Sequence, residues 1–166
     1  MLELSSSTLQ HCFLADMDEK KYRGPLPSEV EGLLQMVSGL EYLHSKNMVH
    51  GNIKPGNVLV SSGQSSSRSV QLKLSDFGQS SGTREQLSVW TAPEIVETMD
   101  DVRRLSQTTT ARSDTTRSDT WSLGCVLFFF LEQGRHPFGD KNIIGNIMGG
   151  NPNLLRGKSR FTDDLT

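Results

Sequence analysis

The side chains able to do chemistry crowd into one run, Met48-Val49-His50-Gly51-Asn52-Ile53-Lys54-Pro55-Gly56-Asn57-Val58-Leu59-Val60, with Asp76 further along the chain. Taken singly, each has an ordinary use. Asp76 can cap a turn, Asn57 can be the turn residue before a strand, and Lys54 can be a solvated point charge. Asn52, at the centre, is a neutral amide. It has no basic site near pH 7, so it can orient a hydroxyl but cannot accept its proton. The remaining histidines, His11, His44 and His136, have no partners at metal-ligand spacing, and no metal is assigned to them.

These groups need a scaffold. The chain has 166 residues, enough for one ordinary domain. Hydrophobic residues make up 34% and charged residues 22%, less apolar material than a packed domain usually carries. The shortfall sits in Ser/Thr-rich stretches near 61–69 and 105–120. A net charge of −2 and a pI of about 6.1 create no field that favours nucleic acid or an anionic membrane. Cys12 and Cys125 are no disulfide framework, which points to a reducing, cytoplasmic setting, with Cys125 a small core residue. The longest apolar run, Trp121 to Leu131, is too short to span a bilayer, and no signal peptide or internal repeat is visible.

Met1-Leu2-Glu3-Leu4 reads as the end of a strand, followed by a polar linker broken by Gly24-Pro25 and Pro27. Ser28 stands three residues before Glu31, a capping-box spacing, and Val30, Leu33, Leu34, Val37, Leu40 and Leu43 recur at helical spacing. This predicts a helix over 28–46, closed by a left-handed Asn47. Val58–Val60 and the alternating Val70–Leu74 predict a hairpin around a polar turn at 61–69. Residues 79–91 read as a loop, and Pro93 opens a short helix through Ile95, Val96 and Met99. Residues 100–117 read as a polar insertion. Ser118 or Asp119 caps a second helix over Thr120 to Leu131, apolar nearly all round and therefore central, which Gly134 ends. A small amphipathic helix is expected at 141–149.

Four landmarks follow one another: His50–Asn57, Asp76-Phe77-Gly78, Ala92-Pro93-Glu94 and Asp119-Thr120-Trp121-Ser122-Leu123-Gly124. In this order, on these elements, they resemble the protein kinase family, whose catalytic loop carries an Asp base and an Asn metal ligand. Leu2-Glu3-Leu4 with Thr8-Leu9-Gln10, Gly39–Ser45, Trp90–Glu94 and Gly124 through Gly139 are similar to the endoplasmic-reticulum stress-sensor kinase/endoribonuclease family. The resemblance covers most of residues 1–150. It implies an α+β fold: a protein-kinase-like C-terminal lobe, mainly helical with a small β-hairpin, its N-terminal lobe missing. Residues 151–166 would be a weakly ordered tail.

The resemblance also implies roles. ATP and Mg²⁺ are the cofactors, with Asp76 and Asn57 as metal ligands and Lys54 at the transferring phosphate. Leu59 would pack under the adenine, and the backbone from Glu3 to Ser5 would meet its edge. His50 and Phe77 would be packing, and Asp119 would hydrogen-bond the backbone of the catalytic loop.

Three departures qualify this. Asn52 replaces the catalytic aspartate, which forfeits general-base help worth ~10²–10⁴ in rate. Gly51 replaces an arginine that pairs with a phosphorylated activation segment, so ordering through that position is lost and the loop is expected to loosen. No glycine-rich loop or strand lysine of the N-terminal lobe is present, and Glu94 lacks its arginine, a costly arrangement for a buried carboxylate. The family activity is ATP-dependent serine/threonine phosphorylation, expected to be lost or very weak here. The alternative is a pseudokinase fragment acting as an interaction module, docked on an intact kinase relative or on the missing lobe. In a longer protein it would face the cytosol at the endoplasmic reticulum.

Overall fold

The computed structural model describes residues 5–62, 69–77, 88–96 and 115–152. The readings of Met1–Leu4 as a strand, of most of the 61–69 turn, the 79–91 loop and the 100–117 insertion, and of the 151–166 tail fall largely outside them, as do Glu3 and Met99.

Among the described residues the architecture is mainly helical with one small antiparallel sheet. A two-residue strand β1 (Ser7–Thr8) leads into a single helical turn, α1 (Leu9–Cys12). The long helix α2 spans Glu29–Ser45. Its start follows from the expected capping box: Ser28 accepts from the Glu31 amide, and Glu31 reaches back to the Ser28 amide. Together these satisfy two otherwise orphaned helix donors. Asn47 follows the helix with a φ of 56°, a left-handed conformation asparagine tolerates.

A 3-10 turn at Pro55–Asn57 then feeds β2 (Val58–Ser62), which pairs with β3 (Val70–Leu74) in the register Val58↔Leu74 to Ser62↔Val70. The expected hairpin is therefore present. It gains a third strand, because β1 adds to the other edge of β2 with Ser7 opposite Val60. Gln35 of α2 covers the free edge of β3: its Oε1 accepts from the Leu72 amide at 2.7 Å, and its Nε2 donates to the Val70 carbonyl. The amide side chain thus stands in for a fourth strand.

Residues 93–96 are helical, as expected after Pro93. Helix α3 (Thr116–Leu131) starts four residues before the expected position. Thr115, not Ser118 or Asp119, is the N-cap, in a second capping box with Ser118. The last residues assigned to a polar insertion, 115–117, therefore belong to this helix and its cap. Gln133 and Gly134 end it with φ of 51° and 98°, and the Gly134 amide donates to the Phe129 carbonyl. A short helix α4 (Ile143–Met148) follows.

Helix α2 packs against β3 and α3. The core gathers Leu9, Met36, Val58, Val60, Val126 and Phe130, all nearly inaccessible. The buried stripe of α2 is Gly32, Met36, Leu40 and Leu43, whereas Val30 and Leu34 are 66% and 61% exposed. The Phe130 ring of α3 lies where a Gly32 side chain would begin, so α3 packs on the Gly32 face of α2. Cys12 and Cys125 are both free and buried, and burial pushes their thiols up to about 11 and about 12. Among the described residues no helix is long and apolar enough to cross a membrane.

Candidate active site

The antiparallel hairpin explains how residues far apart in sequence meet. Because Val58 pairs with Leu74, the loop entering β2 and the loop leaving β3 emerge at the same end of the sheet. That places Asn57 beside the segment carrying Asp76. The Ser75 amide donates to the Asn57 carbonyl at 2.9 Å, and the Ser75 hydroxyl donates to the same oxygen at 3.2 Å. Asp76 is exposed and holds a φ of 57°. Asn57 is buried, and its Nδ2 donates to the Asn52 carbonyl at 2.8 Å. This bond uses the donor end of the amide and makes Oδ1 the end available to a cation. A carboxylate and an amide oxygen are hard donors of the kind magnesium takes, with water and phosphate completing its shell. The donor set fits the ion.

The loop before Asn57 is fixed from below. Asp119, 2% exposed, accepts from the His50 amide on Oδ2 and from the Gly51 amide on Oδ1, each at 2.8 Å. A third donor is His44, whose Nε2 lies 2.9 Å from Oδ2. The sequence placed Asp119 under the loop, but His44 and Gln35 were missed. The one available signal was a polar residue interrupting or flanking the apolar spacing of α2. Gly51 has a φ of 72°, a conformation glycine adopts without strain. The expectation that glycine loosens the loop is therefore corrected: at this position glycine suits the geometry, and its amide is tied down.

His50 is 1% exposed, and its Nδ1 accepts from the Asn52 amide at 3.3 Å. Burial holds its imidazole below the usual histidine range, against the opposing pull of its backbone bond and of Asp119 and Asp76. Phe77 meets His50 edge-on at 6.2 Å between ring centroids but stays 46% exposed, so it is only partly the packing residue expected. Asn52 and Lys54 are half-buried, with Lys54 opening the 3-10 turn. Leu59 sits between Thr8 and Lys73, its side chain alternating away from the buried Val58 and Val60. Ser5 is exposed just before β1, and the neighbouring Ser6 amide donates to the Val60 carbonyl. The hairpin thus brings Asn52, Asn57 and Asp76 together at one end, with Ser5 toward the other. Glu94 is exposed, which corrects the expectation of a costly buried carboxylate, since water solvates it.

Beyond this site, Trp90, Phe129, His136 and Phe138 form a run of ring contacts, from edge-on to tilted, under the 88–91 turn. His136 Nε2 donates to the Val89 carbonyl, and Ser122 Oγ donates to the Trp90 carbonyl. These bonds tie the segment before Ala92-Pro93-Glu94 to helix α3 and to the chain just beyond it. Pro137 is buried and Phe138 stacks on Trp121.

A loop backbone clamped by a buried helical aspartate, beside an Asn/Asp pair at a hairpin end, is the arrangement that the resemblance to protein kinases implies. The sequence profile described as protein kinase domain matches residues 14–159, and the chain belongs to that family. Among its relatives is the serine/threonine-protein kinase/endoribonuclease ireA of Aspergillus fumigatus, 36% identical over 92% of this chain and 16% of its own length. Another is the human serine/threonine-protein kinase/endoribonuclease IRE2, 35% identical over 99% of this chain and 18% of its own. The Caenorhabditis elegans serine/threonine-protein kinase nekl-2 is 33% identical over 75% of this chain and 32% of its own. The chain therefore spans less than a fifth of the two kinase/endoribonucleases it resembles.

Proposed function

We propose that these residues form the phosphate- and metal-facing side of a protein kinase C-terminal lobe whose phosphotransfer is crippled at Asn52. The observation that carries this reading is an ordered loop with the wrong side chain at its centre. Asp119 holds the His50 and Gly51 amides, and Asn57 braces the Asn52 carbonyl. The Asn52 side chain nonetheless offers no proton-accepting site. When bound with ATP, magnesium would neutralise charge on the phosphates. Asp76 and Asn57 Oδ1 would hold it, Lys54 would face the transferring phosphate, and Leu59 would lie under the adenine with the Ser5 backbone at its edge. A serine or threonine hydroxyl, the acceptor class named for the relatives, could be oriented by Asn52. It would keep its proton into the transition state, a loss of ~10²–10⁴ in rate.

The test is a thermal melt of the chain with and without MgATP, beside a phosphotransfer assay on the chain and on Asn52→Asp. A MgATP-dependent rise that Asp76→Ala abolishes, with no transfer above background by the chain, supports the proposal, and a gain of transfer in Asn52→Asp supports placing the loss at that residue. Robust transfer by the chain itself refutes it. A second reading, a protein-interaction module, draws on the apolar side chains at the surface of α2 and beyond β3: Leu34, Tyr42 and Phe77 are 61%, 64% and 46% exposed. A cooperative melt indifferent to MgATP would favour it.

A further inference from the structure

A cavity of about 570 Å³ lies between the 88–91 turn, the end of α3 and the start of α4. None of Asn52, Asn57 and Asp76 lines it. Its lining is mostly apolar, with Trp90, Phe129 and Ile143 supplying most of the surface and the Trp90 and Phe129 rings edge-on at 5.5 Å between centroids. Hydrogen bonds hold this frame in place. His136 Nε2 donates to the Val89 carbonyl, its Nδ1 accepts from the Phe138 amide, and the Ser122 hydroxyl donates to the Trp90 carbonyl. One donor is left open. The indole N–H of the half-buried Trp90 has no hydrogen-bond partner among the described residues, whereas a buried indole usually finds one.

Two charges complete the lining. Arg135 and Asp140 are both exposed, and among the described residues neither has an ion-pair or side-chain hydrogen-bond partner. A preformed cavity of this size, apolar inside with a few polar groups at fixed places, is the form that small-molecule sites take. The two charges set the chemistry of the occupant. A guanidinium takes a carboxylate through paired hydrogen bonds, and a carboxylate takes an ammonium. An anion alone would be repelled by Asp140, a cation alone by Arg135, and a neutral ligand would gain nothing from either. We propose that this cavity binds a small aromatic zwitterion, its ring among Trp90, Phe129 and Ile143, its carboxylate on Arg135 and its ammonium on Asp140. A free aromatic amino acid is the simplest member of that class. Such a ligand would join the 88–91 turn to the end of α3. Its binding needs neither nucleotide nor Asn52, so it stands independently of the phosphotransfer reading.

The experiment titrates the full chain with L-phenylalanine, 3-phenylpropionate, 2-phenylethylamine and N-acetylphenylalanine amide, following the indole N–H signal of Trp90 by nitrogen–proton NMR. The first carries both charges, the next two carry one each, and the last carries neither. The chain has two tryptophans, so Trp121→Phe assigns the signal. L-phenylalanine should shift it saturably and bind roughly tenfold more tightly than any of the other three. Arg135→Gln should weaken L-phenylalanine about tenfold and leave 2-phenylethylamine no weaker, and Asp140→Asn should weaken it similarly and leave 3-phenylpropionate no weaker. No saturable shift with L-phenylalanine up to ~10 mM overturns the proposal. So does equal affinity for the neutral amide, which would mean an apolar pocket with a solvated rim, and so does an affinity for L-phenylalanine indifferent to either substitution. Should a variant not fold, the four-compound comparison on the unaltered chain decides by the same criteria.

Discussion

Replacing Asp119 by alanine removes one carboxylate and strands three donors at once. The His50 amide is buried, the Gly51 amide is partly buried, and His44 can turn toward water because its side chain is 20% exposed. Leaving a buried donor unsatisfied costs ~1–3 kcal/mol, so the two amides together cost about 2–6 kcal/mol. The partial exposure around Gly51 draws the figure toward the lower half. Against a total stability of ~5–15 kcal/mol, such a loss is large. The assay is urea denaturation followed by far-ultraviolet circular dichroism. With a slope of ~1–3 kcal/mol per molar urea, the midpoint should fall by roughly 1–3 M. Thr115→Ala, at the N-cap of the same helix, is the control and should cost ~1 kcal/mol, since it weakens α3 without freeing the loop. If Asp119→Ala shifts stability by less than ~0.5 kcal/mol, as an ordinary surface change would, the clamp is not holding the loop.

Two glycines should respond with opposite sign. Gly124 is exposed on α3 with open space where a side chain would begin, so Gly124→Ala should stabilise by ~0.5–1 kcal/mol. At Gly32 an added Cβ would lie 2.5 Å from the Phe130 ring, and overpacking of ~1–3 kcal/mol should outweigh the helix gain. Melting temperatures that move the same way for both would contradict the packing described. Stability should also fall with acid. His50 and His136 have pKa values lowered by burial, opposed at His136 by its bond to Val89. A lowered histidine contributes fully above its ordinary value near 6.5 and loses that contribution as pH falls through it toward the folded value. The urea midpoint should therefore drop between pH 7 and pH 5, less steeply in His136→Gln. The exposed Asp16 and Glu31, lowered by hydrogen bonds from Lys21 and Ser28, act only at more acid pH. A flat midpoint from pH 7 to pH 5 would rule out buried neutral histidines.

What was legible in the sequence rests on short-range rules. Ser28 and Glu31 make a capping box because they are three residues apart, and Val70–Leu74 makes a strand because its side chains alternate. The order of the loop, Asp76-Phe77-Gly78 and the Asp119 segment identified the family before any coordinates. That Asn52 lacks a basic site is likewise a property of the residue, which no fold can alter. Tertiary structure decided the rest. Of the apolar residues at helical spacing on α2, Leu40 and Leu43 are buried while Val30 and Leu34 are exposed, and the buried face is the one on which the Phe130 ring meets Gly32. The hold of Asp119 on a loop 69 residues away was implied by the family resemblance, but its third partner, a histidine 75 residues away, was not. No periodicity spans such distances: donors and acceptor meet only once α2 and α3 have packed, and the loop takes its shape from that meeting.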